Sequence, residues 1–188
     1  MSNIASEKNA PSGHPNWIML MADILVIGLL IAFDQFTKYL AVTRLKGREA
    51  YSLIAGVLEL DYLENHGAAF GILQNQKAVI LGIGIVFMLI IFAIMFRVPR
   101  GKKYAILHIM LSFVIAGGTG NMIDRFSLSY VVDFISFILI DYPVFNVADC
   151  YVVCATVGLF IMFMFVLKEE DLEFLSFKKK RGGRREKV

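Results

Sequence analysis

Four apolar runs, separated by polar links, dominate the chain: residues 17–41, 78–96, 104–123 and 149–167. Each reaches about the 20 residues a helix needs to cross a hydrocarbon core, so the pattern predicts four transmembrane helices. Between the first two, Ala55–Leu63 reads A-G-V-L-E-L-D-Y-L, and its period of two predicts strand. The expected fold is an all-α integral membrane protein of four transmembrane helices, with a small extracytoplasmic β-sheet between helices one and two. Residues 1–188 then form a single membrane domain, with a flexible N-terminal tail (1–16) and a basic C-terminal tail (168–188) whose first part forms a short interfacial helix.

Composition agrees with the pattern. Apolar residues make up 57% of the chain and mean hydropathy is +0.66, well above soluble domains. The first run is too long for a signal-peptide core and carries the polar stretch Asp34-Gln35-Phe36-Thr37-Lys38, so it reads as a retained helix. Arg97, Arg100, Lys102 and Lys103 in the second link, and six Lys and Arg between 178 and 185, mark the cytoplasmic side. Both termini are therefore expected on the cytoplasmic side of the membrane, with the 42–77 loop outside. The basic excess follows topology and anionic lipid, and nucleic acid is not an expected partner.

Several chemistries find no support in the residues. Cys150 and Cys154 lie one helical turn apart without a neighbouring base, so they read as packing thiols. His14, His66 and His108 are scattered and no zinc motif occurs, so no metal or other cofactor is expected. A G-x-S-x-G serine elbow is absent as well. Carboxylates remain.

Asp124, Asp133 and Asp149 stand at the edges of apolar segments, where a carboxylate needs a partner, water or a role. Asp124 precedes Arg125 and is expected to pair with it at the end of helix three. Asn146-x-x-Asp149 has the spacing of a capping box opening helix four. Asp133, in the extended stretch Val131–Ile135, has no base beside it and needs a tertiary partner. The segment 134–145 contains the turn Asp141-Tyr142-Pro143, so Asp133 and Asp149 can meet. Two carboxylates in contact share one proton, one serving as acid and the other as base, as in aspartic peptidases. Asp34 and Lys38, four apart, can neutralise each other in lipid, or one of them can reach substrate or brace the outer loop. A proton-coupled carrier and a non-catalytic membrane binding protein are the competing classes. The polar groups gather at one face and no repeat is evident, which disfavours a carrier.

Taken in order, D-x-x-x-K (Asp34–Lys38), N-x-G-A-A-F-G (Asn65–Gly71), G-N-x-x-D-R (Gly120–Arg125), V-V-D-F (Val131–Phe134) and F-N-x-A-D (Phe145–Asp149) resemble the lipoprotein signal peptidase, or signal peptidase II, family. The run Gly117-Gly118-Thr119-Gly120 departs from the family's commoner G-G-A-x-G. The resemblance implies that Asp133 and Asp149 are the catalytic pair, with Asp34, Lys38, Asn65, Gly117, Asn121, Asp124, Arg125 and Asn146 as supporting or substrate-binding residues. It implies a substrate too: a prolipoprotein whose cysteine carries diacylglycerol, cut just before that cysteine by a monomeric enzyme in membrane lipid, at the outer face.

Overall fold

In a computed structural model that describes residues 17–67, 73 and 76–175, the four apolar runs are helices: α1 Trp17–Arg44, α2 Lys77–Arg97, α3 Ala105–Ser127 and α4 Val147–Ile161. α4 runs on through a wider π-type turn, Met162–Val166, so its membrane-length stretch is Val147–Val166. Half of the apolar window of α3 is buried, against 11% in each of the other three. α3 is thus the central helix and packs on α1, α2 and α4. Large side chains such as Leu25, Phe33, Phe87, Leu89 and Phe160 stay exposed around it, as expected where lipid replaces a protein core.

The loop after α1 forms β1 (Tyr51–Ile54) and β2 (Leu58–Asn65), turning at Gly56, whose φ of +73° suits glycine. The expected strand 55–63 therefore begins three residues late. A larger correction concerns where the sheet comes from. It has four antiparallel strands in the order β1-β2-β3-β4, and half of them, β3 (Val131–Phe137) and β4 (Tyr142–Phe145), lie between α3 and α4. The β1–β2 hairpin alone would leave one side of β2 unpaired. The apolar stretch carrying Asp133 fills it, with Leu63 opposite Asp133 and Asn65 opposite Val131.

Two apolar clusters bracket the polar middle of the bundle. One comprises Met88, Met95, Val98, Leu107, Leu111, Ile115 and Met162, with Ile27 of α1 packed against it. The other, Ala41, Val132 and Phe134, lies under the sheet. Between Ile27 and Ala41, α1 carries Asp34 and Lys38, both buried. Beyond α4, Glu169–Leu175 forms a short 3₁₀ helix; Asp171 accepts from Lys103, and Phe174 meets the Tyr104 ring edge-on at 6.0 Å. The expected tail 1–16, residues 176–188 of the expected tail 168–188, and residues 68–71 of the N-x-G-A-A-F-G motif lie outside the described residues.

Candidate active site

Asn146 opens α4 in extended backbone and forms a full capping box. Its Oδ1 accepts from the Asp149 N–H at 3.1 Å, and Asp149 Oδ2 accepts from the Asn146 N–H at 3.1 Å. Capping uses only part of each side chain. The Asn146 Nδ2 donates to Asp133 Oδ1 at 2.6 Å and to Asn121 Oδ1 at 3.1 Å. The same asparagine therefore fixes the start of α4 and joins it to β3.

The β3–β4 hairpin returns the chain from Asp133 to α4 through a turn at Ile138–Ile140 and Asp141, with Pro143 in an edge strand that tolerates it. Asp133 is 1% exposed, and its Oδ2 accepts from Asn65 Nδ2 at 2.9 Å. Burial pushes its pKa up to about 6, the Asn65 hydrogen bond opposes that rise, and the neighbouring Asp149 charge adds to it. Asp149 Oδ1 accepts from Asn121 Nδ2 at 2.8 Å. Both acids, with Asn65, Asn121 and Arg125, line the polar end of a cleft of about 1120 Å³. Ile80, Ile83 and Phe87 of α2 and Val152 and Val153 of α4 make its apolar side.

Below the acids lies a second polar layer. Lys38 Nζ stands 3.0 Å from Asp34 Oδ2, 3.0 Å from Asp124 Oδ2 and 2.9 Å from Asn121 Oδ1. The expected Asp34–Lys38 pair is present, but the expected Asp124–Arg125 pair is not. Adjacent helical residues point about 100° apart, so Asp124 faces α1 while Arg125 faces the cleft. Arg125 instead donates to the Gly67 carbonyl at 3.0 Å and the Asn121 carbonyl at 3.3 Å. Asp124 accepts in addition from the Val132 N–H at 3.1 Å, tying α3 to β3.

Gln35 is the participant that sequence reasoning missed, although it sits inside the polar stretch of α1. Its Nε2 lies 3.0 Å from Asp124 Oδ1, 3.2 Å from Asp34 Oδ2 and 3.3 Å from the Gly120 carbonyl. Spacing within α1 reveals Asp34 and Lys38 as neighbours, whereas the partners of Gln35 on α3 become visible only on packing.

The glycines of α3 set helix approach and do not line the cleft. A Cβ on Gly117 would come within 2.5 Å of the Ala148 carbonyl and 2.8 Å of Val152 Cγ2. One on Gly120 would collide with the Asp34 carboxylate. That opening lets Asp34 Oδ1 reach the Ala148 N–H, 3.0 Å away, at the positive end of α4. His66, which also lines the cleft, packs its ring on Tyr130, and His108 Nδ1 lies 3.0 Å from Asp23 Oδ2, toward the first apolar cluster.

Comparison with known proteins points the same way. A family model described as signal peptidase (SPase) II matches residues 26–166. A lipoprotein signal peptidase of Brevibacillus brevis is 42% identical over 157 residues, spanning 84% of this chain and 97% of that protein. One from Streptococcus thermophilus is 40% identical over 143 residues, 76% of this chain and 90% of its own length. Among solved structures, a bacterial membrane enzyme determined by the in meso method at 2.3 Å superposes with a TM-score of 0.68 at 27% identity, covering 84% of this chain and 93% of that one.

Proposed function

The chain belongs to the signal peptidase II family of membrane aspartic peptidases, which remove signal peptides from prolipoproteins, and we propose that Asp133 and Asp149 are its catalytic pair. One observation carries the assignment. Two acids from separate elements meet at the polar end of a single cleft, joined through the amides of Asn146 and Asn121.

The environments of the two acids assign their roles. Asp149 sits in the first turn of α4, where the helix dipole favours negative charge, and receives N–H bonds from Asn121 and from the Asn146 backbone. Asp133 is the more reluctant to ionise, its pKa raised to about 6 by burial. Asp149 is therefore the base and Asp133 holds the shared proton. Water between them loses a proton to Asp149 and attacks the scissile carbonyl while the Asp133 hydroxyl polarises its oxygen. The proton on Asp149 then passes to the leaving amine as the carbon–nitrogen bond breaks. Arg125, at the cleft and donating to the Gly67 and Asn121 carbonyls, offsets the net negative charge of the pair. Asn65 and Asn146 hold Asp133 in place.

The substrate follows from the shape. The apolar walls from α2 and α4 suit a hydrophobic signal segment and the acyl chains of a diacylglyceryl cysteine, presented from lipid with the bond just before that cysteine at the polar end. The basic link 97–103 and basic tail support a topology with both termini in the cytoplasm and the sheet and acids at the outer face. One chain supplies both acids and their partners, so the site needs no residue from a second copy. The test presents purified protein with a diacylglyceryl-modified prolipoprotein and its unmodified twin. Cleavage of the modified form alone, lost in Asp133→Asn and in Asp149→Asn, is expected; equal cleavage of both forms, or full activity in either variant, overturns the reading.

A further inference from the structure

Asn121 joins the two polar layers, and its amide can face them in two ways. As it stands, Oδ1 accepts from Lys38 Nζ at 2.9 Å and from Asn146 Nδ2 at 3.1 Å, while Nδ2 donates to Asp149 at 2.8 Å. A flipped amide would set its oxygen against the Asp149 carboxylate and its N–H₂ against the Lys38 ammonium and the Asn146 amide. Every one of those contacts is repulsive, so Lys38, Asp149 and Asn146 hold the orientation together, and Lys38 is the member that α1 supplies.

Lys38 has three N–H bonds and spends them on three acceptors: Asp34 Oδ2, Asp124 Oδ2 and Asn121 Oδ1. It is free to serve Asn121 only while the two carboxylates have other donors. Asp34 Oδ1 has the Ala148 N–H, and Asp124 Oδ2 also has the Val132 N–H. For Asp124 Oδ1, the donor found among the described residues is Gln35 Nε2, which also reaches Asp34 Oδ2. Without Gln35 the buried carboxylates turn to Lys38 for the missing bonds and draw it away from Asn121.

We propose that Gln35 and Lys38 are positioning residues that hold Asn121 with its N–H₂ toward Asp149, so that α1 sets the proton affinity of the catalytic base without touching it. The inference rests on the catalytic pair assigned above. Asp133 on β3, Arg125 on α3 and the adjacent Cys150 stand beside Asp149, while the Lys38, Asp34 and Asp124 cluster lies behind Asn121. Glu64 of β2, His66 just beyond it and Asp141 line the same cleft, whose α2 wall is apolar. Losing the Asn121 N–H bond removes a donor that supports the Asp149 carboxylate in its ionised form.

The experiment records kcat and KM against pH on a diacylglyceryl-modified prolipoprotein peptide for the parent, Gln35→Met, Asn121→Asp and the double variant. Gln35→Met, close in shape but without a donor, is expected to move the acid limb of kcat upward by about half to one pH unit, lowering kcat below the limb by about three- to tenfold with little change in KM. Asn121→Asp should move it further, and the double variant no further than Asn121→Asp alone, because the first acts through the second. If Gln35→Met fails to fold, Gln35→Glu keeps the shape, competes for Lys38 and is expected to shift the limb the same way. A fall in kcat with the limb unmoved, or shifts that add in the double variant, overturns the proposal. Asp133→Asn and Asp149→Asn, run alongside, separate the two readings: if both are inactive while Gln35→Met keeps the parental limb, the catalytic pair stands and the α1 role falls.

Discussion

Replacing Asp133 by asparagine removes the acid and, by the same physics, should make the protein more stable at neutral and alkaline pH. Asp133 is 1% exposed, and burial raises its pKa from 3.8 to about 6. Below the lower value the carboxyl is protonated in folded and unfolded chains alike and carries no penalty. As pH rises through the interval the unfolded chain ionises freely while the folded chain must ionise a buried group, so stability is lost and stays lost above about pH 6. Some two pKa units at about 1.4 kcal/mol each put that loss at roughly 3 kcal/mol. Asparagine avoids it but cannot accept at both positions. Its amide nitrogen must face either the Asn65 or the Asn146 donor, forfeiting about 1 kcal/mol.

The variant is therefore expected to be more stable than the parent by roughly 1–3 kcal/mol near pH 8, and slightly less stable near pH 4. Thermal unfolding of both proteins in the same detergent across that range measures the crossover, and cleavage assays should show activity reduced at least about 10³-fold. A variant less stable than the parent at every pH would refute the reasoning, since the carboxylate would then be a net stabiliser of the fold.

Other substitutions separate support from chemistry. Gly117→Ala drives a methyl into the Ala148 carbonyl and Val152 and should cost about 1–3 kcal/mol by forcing α3 from α4, read as a lowered unfolding temperature. Lys38→Met strands Asp34 and Asp124 as buried unpaired carboxylates, at about 3–5 kcal/mol; adding Asp34→Asn should recover part of the loss, and no recovery would mean the ion pair is not its source. Asp149→Asn keeps an acceptor for the Asn146 N–H, so it should abolish cleavage while unfolding within about 1 kcal/mol of the parent. Cys150→Ser with Cys154→Ser should cleave like the parent, because both thiols are free and neither lines the cleft.

The helices were the most legible part of the chain, since lipid demands long apolar runs: the ends of α1–α3 lie within four residues of the predicted ones, and α4 with its π-type turn spans Val147–Val166 against 149–167. The capping box was equally readable, being a local pattern of Asn146 and Asp149 that local geometry completes. Strand pairing was not. Alternation in 55–63 predicts a strand but not its partner, and β2 finds it some seventy residues away at Asp133. The Asp124 error has a related origin. Sequence neighbours invite pairing, yet side chains one apart on a helix diverge, so Asp124 turned to α1 and Arg125 to the cleft.

The polar layer between the apolar clusters explains why those errors fall where they do. Asp34, Gln35 and Lys38 reach partners on α3 and, through Asp34, the start of α4; Asn121 and Asn146 then carry the connection to β3. Each of these bonds crosses between elements, so no periodicity within one element could reveal it. What the chain displays locally is a surplus of acids and amides in apolar surroundings. In lipid each such group must find a partner, and the elements that carry them are held to the packing that supplies one. The burial that makes Asp133 reluctant to ionise thus comes from the same closed packing that holds α3, α4 and the sheet around it, and loosening that packing would lower stability and alter the acid's titration together.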